Sequence, residues 1–163
     1  MSKQIDELSV IARQCIAAVC FERYCEHHDL KHPDIRAFID HIWRVGAIEN
    51  PDQFVEWEQG FQGLSASGWG DPIPQDVLDA IPSAIRQEYQ KLAESVIETS
   101  ATTWYGSDMK GTREYLLKVI RIVSAYGIEL PNFGLFKHSS LEFHGGWGNN
   151  PPPDVLYAWR YDS

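Results

Sequence analysis

The chain has 163 residues, of which 44% are apolar and 12% aromatic, and its formal net charge is −9. This length suits one domain, and the apolar fraction is too high for a disordered chain. The acidic balance argues against nucleic-acid binding, which needs a basic surface, and no apolar run approaches the roughly 18 residues that span a membrane.

Apolar residues recur at helical spacing from the start of the chain. They predict a long helix from Lys3 to His28, capped by Ser2, and a shorter helix from His32 to Val45. Asn50-Pro51-Asp52 signals a further helix start, because proline fits the first turn and a carboxylate favours its positive end.

The rest of the chain also favours an all-α fold, with about five to seven helices in a single domain, 1–163. Strand-like alternation is confined to the short, ambiguous run Leu141–His144. The further predicted elements, in chain order, are a loop from Gly60 to Pro74, a short helix from Gln75 to Ile81, a long helix from Ser83 to Tyr105, a helix from Thr112 to Tyr126 closed by Gly127, and a short helix from Asp154 to Trp159.

An internal repeat is the most informative feature of the sequence. Residues 68–80 and 146–158 match without a gap at eight of thirteen positions, where chance gives roughly one. Each begins with Gly-Trp-Gly; we name Gly68–Gly70 the first Trp loop and Gly146–Gly148 the second Trp loop. The match predicts two related units, about 1–82 and 83–163, each ending in a Trp loop and a short helix. Convergence of two loop ends, without duplication, is the alternative explanation.

The two loop tryptophans, Trp69 and Trp147, have two interpretations. As buried side chains they fasten a long loop to the helices, since buried tryptophan mainly contributes packing energy. As exposed side chains they are anchors for a partner, a role in which tryptophan is enriched.

Cysteine and histidine concentrate near the end of the first predicted helix. Cys15, Cys20 and Cys25 are five residues apart, a spacing that turns them away from one another on a helix. We therefore expect no disulfide among them and, because the sequence also starts without the basic and apolar segments of a signal peptide, a cytoplasmic location.

A metal site is one interpretation of this segment. Cys25, His28 and His32 have the spacing C-x2-H-x3-H, with His41 nearby, and such residues ligate zinc. A structural zinc site needs four ligands, and no second pair completes it. The alternative is a buried thiol with histidines at helix ends, and we expect no cofactor.

A second candidate site lies beside the second Trp loop. If residues 138–144 are extended, Glu142 and His144 point the same way, and with His138 and a neighbouring serine they resemble an acid–base set. The same residue types are common in ordinary loops. The chain contains no P-loop, dinucleotide-binding glycine fingerprint, G-x-S-x-G or H-E-x-x-H motif, so we lean against an enzyme.

The charge is unevenly distributed. Residues 46–108 hold eleven acidic and two basic residues, whereas residues 109–137 hold five basic and two acidic residues. An acidic surface attracts a basic partner electrostatically. The residues that we expect to contact such a partner are Glu49, Asp52, Glu56, Trp57, Glu58, Trp69, Asp71, Asp76, Asp79 and Trp147.

Three functions are therefore open. The first is a non-enzymatic module that binds a basic protein, in its concrete form a bacterial immunity-type inhibitor. The second is a small-molecule or metal-binding protein, or an enzyme, that uses the His28/His32/His41 or His138/Glu142/His144 clusters. The third is a structural helical module that associates with itself.

Overall fold

The computed structural model of this chain describes residues 2–49, 51–104 and 108–163, without the side chains of residues 2, 51, 52, 61 and 62. This described part is all-α, as predicted, and contains no strand, only an isolated bridge between Leu8 and Ser140. None of its helices is long and apolar enough to cross a membrane. The α-helices, in chain order, are α1 (Ser2–Asp6), α2 (Val10–His27), α3 (Pro33–Trp43), α4 (Pro51–Glu58), α5 (Phe61–Leu64), α6 (Gln75–Ala80), α7 (Arg86–Ala101), α8 (Met109–Ala125) and α9 (Pro153–Tyr161).

Helix α2 is the centre of the fold. It is buried on nearly every side, unlike a surface helix with one apolar stripe. Helices α3, α7, α8 and α9 pack against it. The ring of Phe21 lies 5.2 Å from the ring of Phe38 on α3 and 5.6 Å from the ring of Tyr89 on α7, centre to centre. A helix in this position must find partners for its polar side chains inside the protein.

Arg13 of α2 is 3% exposed and finds such partners in neutral oxygens. Its guanidinium donates to the carbonyl of Ile5, to the carbonyl of Met109 and to the hydroxyl of Thr112. Burial lowers the pKa of this guanidinium, because desolvation disfavours the charged form. Arg13 thereby connects α2 with α1 and α8.

The buried carboxylate of Glu22 on α2 is the centre of an ionic network that extends to the surface. Both of its oxygens accept hydrogen bonds from Arg160 of α9, at 3.0 Å each. The same carboxylate accepts from Arg36 at 2.9 Å and from the indole of Trp43 at 3.3 Å. Arg160 also donates to Asp40 at 2.7 Å. The network fastens α9 to α2 and α3.

The first predicted helix, Lys3 to His28, starts where expected but is interrupted, so the prediction of one continuous helix is wrong. Helix α1 ends at Asp6 and α2 begins at Val10, with Ser9 as its N-cap. The Ser9 hydroxyl accepts a hydrogen bond from the amide of Ala12 at 3.1 Å. Serine competes for backbone groups in this way, which ends one helix and starts the next.

Other boundaries differ less from the prediction. Residues 60–74 are not loop throughout, because α5 and a 3₁₀ turn at Ser65–Ser67 lie within them. Helix α7 ends at Ala101, and Tyr105, its predicted end, lies outside the described residues. Gly127 has the positive φ of 69° expected of a residue that closes a helix.

The repeated segments share local geometry. In the first Trp loop Gly68 and Gly70 have φ of 73° and 83°, and in the second Gly146 and Gly148 have φ of 96° and 100°. A short helix follows each loop, α6 in one case and α9 in the other. In the first unit α4 precedes the Trp loop, but between α8 and the second Trp loop the described residues contain no counterpart of α4. The similarity is therefore seen only in the loops and the helices that follow them, and duplication of the complete units stays a prediction.

Candidate functional site

Aromatic side chains from both Trp loops converge on one cluster. The ring centre of Trp69 lies 6.1 Å from that of Trp104, which lies 5.0 Å from Phe54. Phe54 in turn lies 4.9 Å from Trp147, edge to face. The cluster is completed by Trp57, 5.1 Å from Trp104. We call Phe54, Trp57, Trp69, Trp104 and Trp147 the aromatic cluster.

His41 fixes one side of this cluster through a reciprocal contact with Trp57. The two rings stack at 4.4 Å. The indole of Trp57 donates to the carbonyl of His41 at 2.8 Å, and Nε2 of His41 lies 2.9 Å from the carbonyl of Trp57. Burial lowers the pKa of His41. A Cβ at Gly60 or Gly63 would lie only 2.7 or 2.5 Å from the His41 ring, so both positions need glycine.

The first Trp loop is open to solvent on one side. Its indole donates to the carboxylate of Glu98 on α7 at 2.9 Å, which holds Trp69 half-buried against that helix. The neighbouring Gly70 has no atom within 4 Å of the position that a Cβ would take. The loop therefore has free space beside a fixed indole.

The second Trp loop is closed in by the start of α2. The carbonyl of Trp147 accepts a hydrogen bond from the amide of Ile11 at 3.1 Å, an amide that has no partner inside the helix. A Cβ at Gly148 would lie 2.3 Å from the hydroxyl of Ser139 and 2.5 Å from that of Ser9. This loop completes the fold, and only its indole is partly exposed.

A groove of about 590 Å³ lies beside the first Trp loop. Its wall combines apolar surface from Leu64, Pro72 and Pro74 with the carboxylates of Glu58 and Asp71. No lysine or arginine contributes to the described lining, so the groove is acidic as well as apolar. We call it the acidic groove; its lining is Glu58, Gln59, Leu64, Ser65, Trp69, Gly70, Asp71, Pro72 and Pro74.

The structure thus brings together Glu58, Trp69 and Asp71 from the predicted contact residues. Asp76 and Asp79 are exposed on α6, where Asp76 lies 3.7 Å from His32 and Asp79 lies 3.7 Å from Arg86.

The remaining predicted contact residues lie elsewhere. Glu49 and Glu56 are exposed outside the groove, and the side chain of Asp52 lies outside the described residues. Trp57 is only 6% exposed and therefore belongs to the core of the aromatic cluster. Trp147 is half-buried in the second Trp loop.

The predicted metal ligands do not come together. Cys25 and His32 line one small cavity, but the Nδ1 atom of His32 accepts a hydrogen bond from the amide of Asp34 as the cap of α3. The ring of His28 packs instead against Tyr24 and Tyr126, at 4.5 and 4.7 Å. Among the described residues no group of three histidine, cysteine or acidic side chains is placed to hold a metal ion.

The three cysteines are free and buried. Burial raises the pKa of Cys20 to about 12, and it raises the pKa values of Cys15 and Cys25 as well. These thiols are therefore protonated at neutral pH, which makes them poor nucleophiles and poor metal ligands.

The extended conformation that would align Glu142 with His144 is not formed at residues 138–144. The segment folds as the end of a 3₁₀ helix at Phe133–His138, a turn and a second 3₁₀ turn starting at His144, so the alternation that would align Glu142 with His144 is absent. The hydroxyl of Ser139 is buried and donates to the carbonyl of Asn149 at 2.7 Å. Ser139 supports the second Trp loop and is not placed as a nucleophile.

A cavity between α7 and α8 was not predicted from the sequence. Lysine and arginine side chains line it together with Trp69 and Tyr115. The spacing of Tyr115, Lys118 and Ile122 along α8 signals a shared helix face, but the partner face on α7 becomes apparent only when the two helices are packed.

Comparison with protein-family models, with curated proteins and with solved structures gives no significant match.

Proposed function

We propose that this protein binds a basic segment of another protein in the acidic groove. The observation that carries this proposal is the composition of the groove wall, in which Glu58 and Asp71 flank the fixed indole of Trp69 and no cation contributes to the described lining. Such a wall complements a segment that carries lysine or arginine beside an apolar side chain.

The surroundings of the groove favour the same partner. Glu56, Asp76 and Asp79 are exposed on the neighbouring helices α4 and α6. A surface of one sign accelerates the encounter with a partner of opposite sign, and the acceleration weakens as salt is added. An inhibitor of immunity type, which masks a basic protein, is the concrete form of this proposal.

The first experiment measures binding of a defined probe. A fluorescein-labelled peptide of alternating lysine and leucine is titrated with the protein, and a peptide with glutamate in place of lysine serves as the control. We expect binding of the lysine peptide, weakening with salt, and no binding of the glutamate peptide. Equal affinity for both peptides would overturn the electrostatic basis of the proposal.

A matched pair of variants locates the site. Glu58→Lys with Asp71→Lys reverses two charges in the groove, whereas Glu142→Lys with Asp162→Lys reverses two exposed charges outside it. Both doubles change the net charge equally. We expect the groove variant to bind the lysine peptide about tenfold more weakly than the control variant, because its charges lie at the contact. Equal weakening by the two doubles would contradict the groove as the site.

Partner capture from native lysate extends the test. The tagged protein and both double variants are compared at low and moderate salt. A basic protein that is retained by the wild type and by the control variant, but lost by the groove variant, is the expected partner.

A further inference from the structure

The cavity between α7 and α8 has a volume of about 530 Å³ and shares the side chain of Trp69 with the acidic groove. On α7 its lining residues Lys91, Glu94 and Glu98 are three or four positions apart and therefore share one face. On α8 the lining includes Tyr115, Lys118 and Arg121. The indole of Trp69 closes one end, where it donates to Glu98.

The cavity has two chemically different ends. Thr102, just after α7, donates a hydrogen bond to Asp108, the cap of α8, so the two helices join at this end and run antiparallel. Glu98 lies near the joined end and Lys91 lies seven residues away, about 10 Å along the helix axis. Arg121, late in α8, belongs to the Lys91 end. One end is thus cationic, and the other is formed by aromatic rings and Glu98.

The cations of this cavity are available to a ligand. None of the ion pairs formed in the described part of the chain includes Lys91, Lys118 or Arg121. The ammonium of Lys118 lies instead over the ring of Tyr115, 4.3 Å from its centre.

The carboxylates of the cavity, by contrast, already accept hydrogen bonds from neutral donors. Glu94 accepts from the side-chain amide of Gln90 at 3.2 Å, and Glu98 accepts from Trp69 at 2.9 Å. An anion entering at the cationic end therefore meets cations that form no ion pair within the described part of the chain.

We propose that this cavity binds a small phosphorylated molecule with a flat ring, of the chemical class of nucleoside monophosphates. The phosphate lies at the Lys91 and Arg121 end, with Lys118 one turn further in, since lysine and arginine recognise phosphate through charge-assisted hydrogen bonds. The ring lies against Trp69 and Tyr115, where base-to-aromatic stacking is favourable. The remaining acceptor positions of the Glu98 carboxylate suit ring amino or sugar hydroxyl donors.

The size of the cavity agrees with this class. Its volume falls within the roughly 300–1,000 Å³ typical of small-molecule sites, and it separates the charged end from the aromatic end by about the length of a nucleotide. This proposal does not rest on the proposed protein-binding function, because the two cavities share Trp69 but the cations that define this one do not line the acidic groove.

The test is calorimetric titration with the four common ribonucleoside monophosphates, with adenosine and inorganic phosphate as partial ligands. We expect at least one monophosphate to bind about tenfold or more tightly than either partial ligand, since the phosphate and the ring each contribute. In a parallel titration followed by NMR, the indole N–H resonance of Trp69 should shift with the same ligands. Absence of binding by all four monophosphates would overturn the proposal, and equal binding of inorganic phosphate would overturn the role of the aromatic end.

Two variants of α8 make the assignment specific. Lys118→Gln removes a cation from the cavity, and Lys110→Gln removes an exposed cation of the same helix outside it. We expect about tenfold weaker binding for the first and unchanged binding for the second. Equal affinity of the two variants would overturn the site. Both bind the lysine peptide like the wild type if the two sites are independent, which keeps this test separate from that of the acidic groove.

Discussion

The two Trp loops have the same sequence pattern and the same left-handed glycines, but they lie in different surroundings. The first holds its indole against α7 and leaves open space at Gly70, beside a groove. In the second, a backbone carbonyl accepts a hydrogen bond from the start of α2, and the hydroxyls of Ser139 and Ser9 occupy the space beside Gly148. A repeated motif therefore does not imply a repeated role. The copy beside a buried helix end stabilises the fold, and the copy at the surface is available for binding.

The largest expected effect comes from alanine at matched glycines. Gly148→Ala adds a Cβ 2.3 Å from the Ser139 hydroxyl at a φ of 100°, so strain and crowding combine. We expect a loss of about 3 kcal/mol or more in the free energy of unfolding. Gly70→Ala places its Cβ in open space and adds only backbone strain, about 1–2 kcal/mol. Urea unfolding followed by tryptophan fluorescence measures both. Equal losses would break the distinction between the loops.

The helices that follow the two loops should differ in the same direction, with larger losses of stability from changes at α9 than from changes at α6. Arg160→Gln on α9 leaves the carboxylate of Glu22 without its bidentate partner, and both side chains are nearly buried, at 13% and 11% exposure. We expect a loss of about 3 kcal/mol. Arg86→Gln, beside α6, weakens a largely exposed pair with Asp79 and should cost less than about 1 kcal/mol.

Adding Glu22→Gln to the Arg160→Gln chain provides a control for this comparison. It removes the buried charge that has lost its bidentate partner and keeps only Arg36 and Trp43, so part of the lost stability should return. No recovery in the double variant would argue that Arg160 acts through packing alone.

A smaller effect concerns the pH dependence of stability around the aromatic cluster. Burial beside Trp57 lowers the pKa of His41, with a further contribution from the charge of Arg44. The folded protein thus disfavours the protonated ring, so the contribution of His41 to stability is complete above its ordinary pKa of about 6.5 and is lost as pH falls below that value. Burial lowers the pKa of His28 as well, with the same sign.

His41→Asn tests this assignment. Unfolding in urea between pH 7.5 and pH 5 should show a shallower decline for the variant than for the wild type, with a residual decline from His28 and other groups. An unchanged slope would remove His41 from the pH response.

The fold class follows from the sequence because apolar residues at helical spacing need only local information. The start of α2 was less predictable, because Ser9 is one polar residue within an otherwise helical pattern. The pairing of Glu22 with Arg160 joins residues 138 positions apart, and no local pattern signals it. The candidate sites were partly predictable: acidic composition indicated Glu58 and Asp71, whereas the burial of Trp57 depends on the packing of His41.

The contacts of α2 also have a consequence for how the protein is made. Helix α2 leaves the ribosome before residues 147 and 160, yet the amide of Ile11 in its first turn pairs with Trp147 and its buried carboxylate pairs with Arg160. Contacts of such long sequence separation form late and slow the folding of a helical protein. Until residues near 160 are synthesised, the central helix exposes apolar surface on sides that α9 later covers. The nascent chain is therefore expected to depend on chaperones until α9 has been synthesised.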